Sequence, residues 1–158
     1  MIQKHTLLAA LAVSIVCACS PAAEAPEAPA TPEIALARTA ADADLQWGPC
    51  PPVFPAGCEI AVLHGNPAQP NADIFLRVPG GYAIPAHSHS SAERMILVSG
   101  NLDVDYQGAS PTSLAAGSYA YGPAGTPHSA TCRGPDGCTL FIAFEGPVDA
   151  NLFEGSVE

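Results

Sequence analysis

Glycine and proline break this chain at short intervals. Its 158 residues include 17 Pro and 14 Gly, too many and too evenly spread from residue 60 onward to leave room for long helices. Between the breaks lie short apolar or alternating runs, and six of them read as strands: Glu59 to Leu63, Asp73 to Val78, Arg94 to Ser99, Leu102 to Tyr106, Ser118 to Tyr121 and Thr139 to Phe144. Leu102, Val104 and Tyr106 alternate with Asp103 and Asp105, so that strand is expected to bury one face and wet the other. Ser99-Gly100-Asn101 reads as a tight turn between two runs, and the stretch from Gly100 to Gly117 holds one hairpin. An all-β domain follows. Closing such strands into a barrel would remove exposed edges and leave an interior able to take a small ligand.

The strands carry a spaced set of histidines. Gly81, His87, His89, Glu93 and Gly100 spell G-x5-H-x-H-x3-E-x6-G, and Gly117, Pro123, Gly125 and His128 spell G-x5-P-x-G-x2-H. With each fixed position at roughly the 7% average of glycine, the first half alone arises by chance about twice per million starting points. Strand side chains alternate with a period of two, so His87 and His89 face one centre. Glu93 follows the connector Ser90-Ser91-Ala92, which can turn the chain and bring its carboxylate in from a neighbouring strand. His128, after the Gly- and Pro-rich stretch from Gly122 to Pro127, is expected to close the set from the far side of the barrel. Three imidazoles and one carboxylate suit Fe, Mn, Ni, Cu or Zn rather than Mg or Ca, which prefer all-oxygen shells. The bland alternative is a satisfied histidine pair on a strand with no metal. His64, before Asn66 and Pro67, reads as a loop residue.

On these two half-motifs the chain resembles the cupin superfamily over about residues 60 to 145. The resemblance implies a small single-domain β-barrel of the double-stranded β-helix or jelly-roll type. It also implies a divalent metal held by His87, His89, Glu93 and His128, with positions open for substrate. Where the family's second motif usually continues to an Asn, this chain has Cys132. A homodimer is likewise a family-based expectation.

The remaining sequence divides into parts. Met1 to Lys4 is mildly basic and leads into an apolar run from Leu7 to Ala18, too short to span a bilayer and shaped like a secretory signal, residues 1–18. Val16-Cys17-Ala18-Cys19-Ser20 resembles a bacterial lipoprotein cleavage box with Cys19 as the lipidated residue; a plain cleaved signal with a soluble periplasmic product is the rival. Residues 19–43, rich in Pro, Ala and Glu, read as an extended tether, and 44–158 as the barrel domain. Either reading places the domain in the bacterial cell envelope, touching membrane only through lipid on Cys19. Beyond the signal, Arg38, Arg77, Arg94 and Arg133 stand against 15 acidic residues, 4 minus 15 or 11 negative charges. Nucleic acid is therefore not an expected partner, since phosphate binding needs clustered cations.

Four cysteines fall in the domain, and four allow three pairings. The favoured one joins Cys50 to Cys58 across a Pro-rich loop and Cys132 to Cys138 across a hairpin tip, as an oxidising exported compartment would permit. The alternative makes Cys132, four residues past His128, a ligand or redox thiol. Trp47 and Phe54, within Asp44 to Pro55, are expected over a barrel edge or mouth, with Trp47 in core packing or a dimer contact rather than a substrate site. Tyr82, Tyr119, Tyr121 and Arg94 lie near the motifs, and alternation does not say which face inward.

Three readings remain open. The first is a metal-dependent enzyme on a small molecule, of dioxygenase, decarboxylase or isomerase type, no second catalytic residue being evident. The second is a non-catalytic barrel that binds or senses a metal or small ligand at the envelope, resembling the cupin half of zinc-binding anti-sigma factors. A metal-free structural barrel is a third.

Overall fold

The computed structural model describes residues 33–157; the signal, Cys19 and most of the tether lie outside them. Leu36–Glu158 makes one compact unit, and the features below belong to it. Eleven strands form two antiparallel sheets, with no helix among the described residues. The first sheet runs β1 (Trp47–Pro49), β2 (Glu59–His64), β3 (Asp73–Val78), β10 (Cys138–Phe144), β5 (Glu93–Ser99) and β8 (Tyr119–Gly122). The second runs β11 (Asn151–Leu152), β4 (Ala83–Ser88), β9 (His128–Arg133), β6 (Asn101–Tyr106) and β7 (Thr112–Ala115). From β3 to β6 the chain changes sheet at every step, and it does so again from β8 to β11. That is the jelly-roll connectivity the sequence implied.

The inner faces meet in an apolar core. Ile74, Leu76 and Val78 of β3, Met95 and Leu97 of β5, Leu102 and Val104 of β6, and Leu140, Ile142 and Phe144 of β10 are all buried in it. Each set keeps the period of two, which is why these strands were legible. In β6 the alternation holds as expected: Leu102 and Val104 are buried while Asp103 reaches out to Ser113 and Arg133.

Two connections cross between the sheets. The tight turn expected at Gly100 is present, as a corner rather than a hairpin: β5 pairs with β10 and β8, whereas β6 pairs with β7 and β9. Gly100 sits at φ 91°, and a Cβ there would come within 2.4 Å of the Gly137 carbonyl oxygen. Only glycine suits that corner. Cys132 and Cys138 likewise do not flank a hairpin tip, because β9 and β10 lie in opposite sheets. Their sulfurs are at bonding distance with Cα atoms 5.8 Å apart, joining the two layers, and Cys50 and Cys58 pair with Cα atoms 5.4 Å apart. The hairpin expected between Gly100 and Gly117 is present as β6 and β7.

His64 is the last residue of β2, opposite Asp73, rather than a loop residue. It is exposed and far in sequence from any other histidine of the described chain. Trp47 is only half-buried, on the edge strand β1, with the Arg77 guanidinium 3.9 Å above its ring. It belongs to neither the core nor the central cavity.

Candidate metal centre

The four residues singled out by spacing meet at one end of the barrel. His87 lies near the end of β4 and His89 one residue beyond it; Glu93 opens β5 and His128 opens β9. All four are buried, none more than 7% exposed. One ligand atom from each of the three histidines lies within 4.8 Å of the others. The placement of His128 corrects the expectation. It is the direct cross-strand partner of His87 in the same sheet, not a residue from the far side. The group that comes from the opposite sheet is Glu93. Its Oε2 lies 3.4 Å from His89 Nε2 and its Oε1 3.1 Å from His128 Nε2.

Local sequence explains the aim of each ring. The β4–β9 register shifts between Ile84 and His87, around Pro85. Proline lacks the N–H a ladder needs and suits a bulge, which turns the strand there. The freed Pro85 carbonyl accepts the His87 Nδ1–H at 2.7 Å. The Thr126 carbonyl faces His128 Nδ1 at 3.3 Å, and the Asp149 carbonyl accepts from His89 Nδ1. The Asp149 carboxylate also takes the Ser90 N–H at 2.9 Å, tying its loop to the site. With every Nδ1 turned to a main-chain acceptor, the proton sits there and each Nε2 lone pair is free to point inward. This arrangement fixes the tautomer of metal-ligating histidines.

Glu93 supplies the other half of the test. Its Oε1 is buried without a hydrogen bond: His128 Nε2 is near enough for charge attraction but lacks the geometry of a donor. A buried carboxylate oxygen left without a partner costs free energy that a cation at the convergence of the three rings would offset. Burial alone would raise the Glu93 pKa; His128 first, then His89 and His87, outweigh it when their rings carry a proton and hold the group below the ordinary carboxylate range. Burial also pushes the His87 pKa down to about 4, with the neighbouring His128 adding to the fall. The fall in the His87 pKa keeps that ring neutral near neutral pH, the state in which an imidazole can bind a metal. Gly122 on β8 makes room for the carboxylate, since a Cβ there would lie 2.8 Å from Glu93 Oε1.

The cavity over the site has a volume of about 50 Å³ and is bounded at its mouth by Cys50, Pro51 and Phe54. Phe54 meets His87 edge-on with ring centroids 4.9 Å apart, so the segment before β2 covers the mouth. Of the residues whose facing alternation left open, none enters the cavity. Tyr82 is buried but donates to the Pro55 carbonyl at 2.5 Å, Tyr119 and Tyr121 are exposed, and Arg94 pairs outside with Glu145. Cys132 is held by Cys138 and does not join the ligands. Two residues beside the site, Asp149 and Tyr106, are not among the sequence candidates. Tyr106 lies beside His128 with ring centroids 5.1 Å apart, its buried hydroxyl without a hydrogen-bond partner and its pKa raised by burial. The alternation of β6 marks it as inward-facing, but nothing in the sequence near Asp149 marks that residue.

The family model of the ChrR cupin-like domain matches residues 37–149, well over half of the chain. The chain is a cupin. No curated protein matches the sequence. Among solved structures, the cupin is similar to a mutant oxalate decarboxylase of Bacillus subtilis (17% identity, TM-score 0.57, 70% of this chain and 30% of that one). It is also similar to an RmlC-like cupin from Shewanella frigidimarina (21% identity, TM-score 0.55, 66% and 86%). A structure described as DMSP lyases matches with 19% identity and a TM-score of 0.61, over 70% of this chain and 63% of that one. At these identities the likeness is one of fold. The cupin spans under a third of the length of the oxalate decarboxylase it matches.

Proposed function

We propose that this cupin holds one divalent transition metal, Fe, Mn, Ni, Cu or Zn, at His87, His89, Glu93 and His128 and acts there on a small molecule. The observation that carries the reading is the set of three Nδ1–H groups turned to main-chain acceptors around a buried, unpartnered Glu93 oxygen. A bound metal would supply a Lewis acid with open positions, and a redox centre if it is Fe, Mn or Cu. The protein's own residues hold the ligands neutral or anionic as required, orient the rings, and keep water low in the cavity through the apolar walls and Phe54. Such a site can serve dioxygenase, decarboxylase or isomerase chemistry. Relatives in fold include an oxalate decarboxylase, one structure of which is described by its Mn(II) centres.

One observation favours a second reading. Among the described residues, the only titratable side chain lining the cavity beyond the four candidate ligands is Asp149, and none of them stands inside it as a further acid or base for proton transfer. A barrel that binds or senses a metal or small ligand without turnover accords with that, and with the match to the ChrR cupin-like domain. The reading includes export to the cell envelope, as a lipoprotein on Cys19 or a soluble periplasmic protein, which suits two disulfide-spaced cysteine pairs. It includes a homodimer as well. On the outer face of the first sheet Trp47, Ala61, Phe75, Phe141, Ile96 and Tyr119 stand in register across six strands; Ala61 and Phe75 are buried within the chain, and Ile96 and Tyr119 form the exposed apolar end of the row.

Elemental analysis tests the central claim. The mature protein should carry near-stoichiometric metal that disappears when His87 and His89 are both changed to Ala. Metal-free wild type after reconstitution with each of the five metals would refute it.

A further inference from the structure

The three histidines and Glu93 account for almost all of the polarity in the cavity. Its other walls are aliphatic or aromatic: Met95, one alternation beyond Glu93 on β5, then Leu102, Val104, Ile142 and Phe144 among them. Among the described residues no Lys, Arg, Asn, Gln, Ser, Thr or Tyr lines this space. The four arginines of the domain all form ion pairs elsewhere, with Asp44, Glu59, Glu145 and Asp103. A second polar or charged group on a ligand would therefore be buried without a partner, at a cost greater for a charge than for a neutral group.

Charge and volume narrow the class further. A divalent cation beside the Glu93 carboxylate keeps one net positive charge, enough to balance a single anionic donor. A second negative charge would face Glu93 and, at the mouth, Asp149. The cavity of about 50 Å³ corresponds to roughly four water-sized volumes at about 10 to 15 Å³ each.

We propose, resting on the metal reading above, that the barrel interior selects compact ligands with one metal-binding end, at most one negative charge, and an apolar remainder. Dianions such as oxalate, sugars and phosphorylated molecules are excluded by the walls themselves. Such selection rests on the cost of burying a polar group without a partner, which an apolar wall cannot supply.

The test uses the full mature protein loaded with Co(II), whose visible absorption reports each change in its coordination. The probes are propionate, 3-hydroxypropionate and malonate, which share one carboxylate donor and differ at the far end. Propionate should bind at least about tenfold more tightly than either of the others. Met95→Gln keeps the side-chain length and puts an amide into the cavity, and it should narrow the gap at least threefold. Malonate or 3-hydroxypropionate binding as tightly as propionate would overturn the selectivity while leaving the metal site standing. An unchanged gap in Met95→Gln would overturn the role of the walls. Absence of a protein-bound Co(II) spectrum before any probe is added would overturn the metal reading together with this one.

Discussion

In the metal-free fold His87 is neutral well below the pH at which an exposed histidine takes up a proton. Its pKa is pushed down to about 4, first by burial and then by His128, against 6.5 for the free side chain. As pH falls from 7 to 5 the unfolded chain therefore gains a proton that the folded chain refuses. Stability is full above the unfolded value and is lost as pH falls toward the folded one. One unit of pKa difference is worth about 1.4 kcal/mol, and integration over this window gives a loss of about 2 kcal/mol from His87 alone. Glu93 does not blur the result. Its depressed pKa makes its contribution present above the ordinary carboxylate range and lost only below it, outside the window. The assay is urea unfolding of chelator-stripped protein at pH 7, 6 and 5, beside His87→Asn, whose amide can still donate to the Pro85 carbonyl. With a slope of about 1 to 3 kcal/mol per molar urea, the wild-type midpoint should fall by on the order of 1 M more than that of the variant. Identical pH dependence in the two proteins would refute the reasoning.

Three further outcomes are expected. Gly122→Ala puts a Cβ 2.8 Å from Glu93 Oε1, so it should weaken metal binding at least about tenfold by calorimetry with little loss in the thermal stability of the metal-free protein. Replacing both Cys132 and Cys138 by Ser releases the closed loop between them and should cost about 2 kcal/mol in the chain-entropy account, read from urea midpoints under non-reducing conditions. Leu102→Ala, at a side chain 1% exposed in the core, should cost about 3 to 5 kcal/mol in the same measurement.

The candidate ligands can be read in the sequence because spacing and alternation are local properties. His87 and His89 share a face whatever strand lies beside them, and the core of β3, β5, β6 and β10 follows the same period. What local pattern does not contain is pairing. Whether Gly100 or the Cys132–Cys138 segment turns back within a sheet or crosses to the other depends on contacts between residues far apart in the chain. For that reason local pattern puts His128 across the barrel, where the structure has it beside His87, and brings Glu93 from a neighbouring strand, where the structure has it crossing from the facing sheet. Short strands such as β1 and β11 carry too few residues to show a period, and β4 hides one behind the bulge at Pro85. His64 reads as loop beside Gly65 and Asn66, yet β2 extends through it because Asp73 offers a pairing partner. Asp149 acts through its main-chain oxygen on His89, a role that any residue type could fill and that leaves no mark in sequence.

That last point reaches beyond this chain. All three imidazoles are oriented by main-chain carbonyls, of Pro85, Thr126 and Asp149, so no point substitution outside the histidines deletes an orienting acceptor. Divergence is free to rewrite the side chains around the centre, and with them ligand preference, while the tautomers stay set by the path of the backbone. Kinship among such barrels would then persist in the spacing of glycine, proline and ligand long after the residues that choose the ligand have drifted apart.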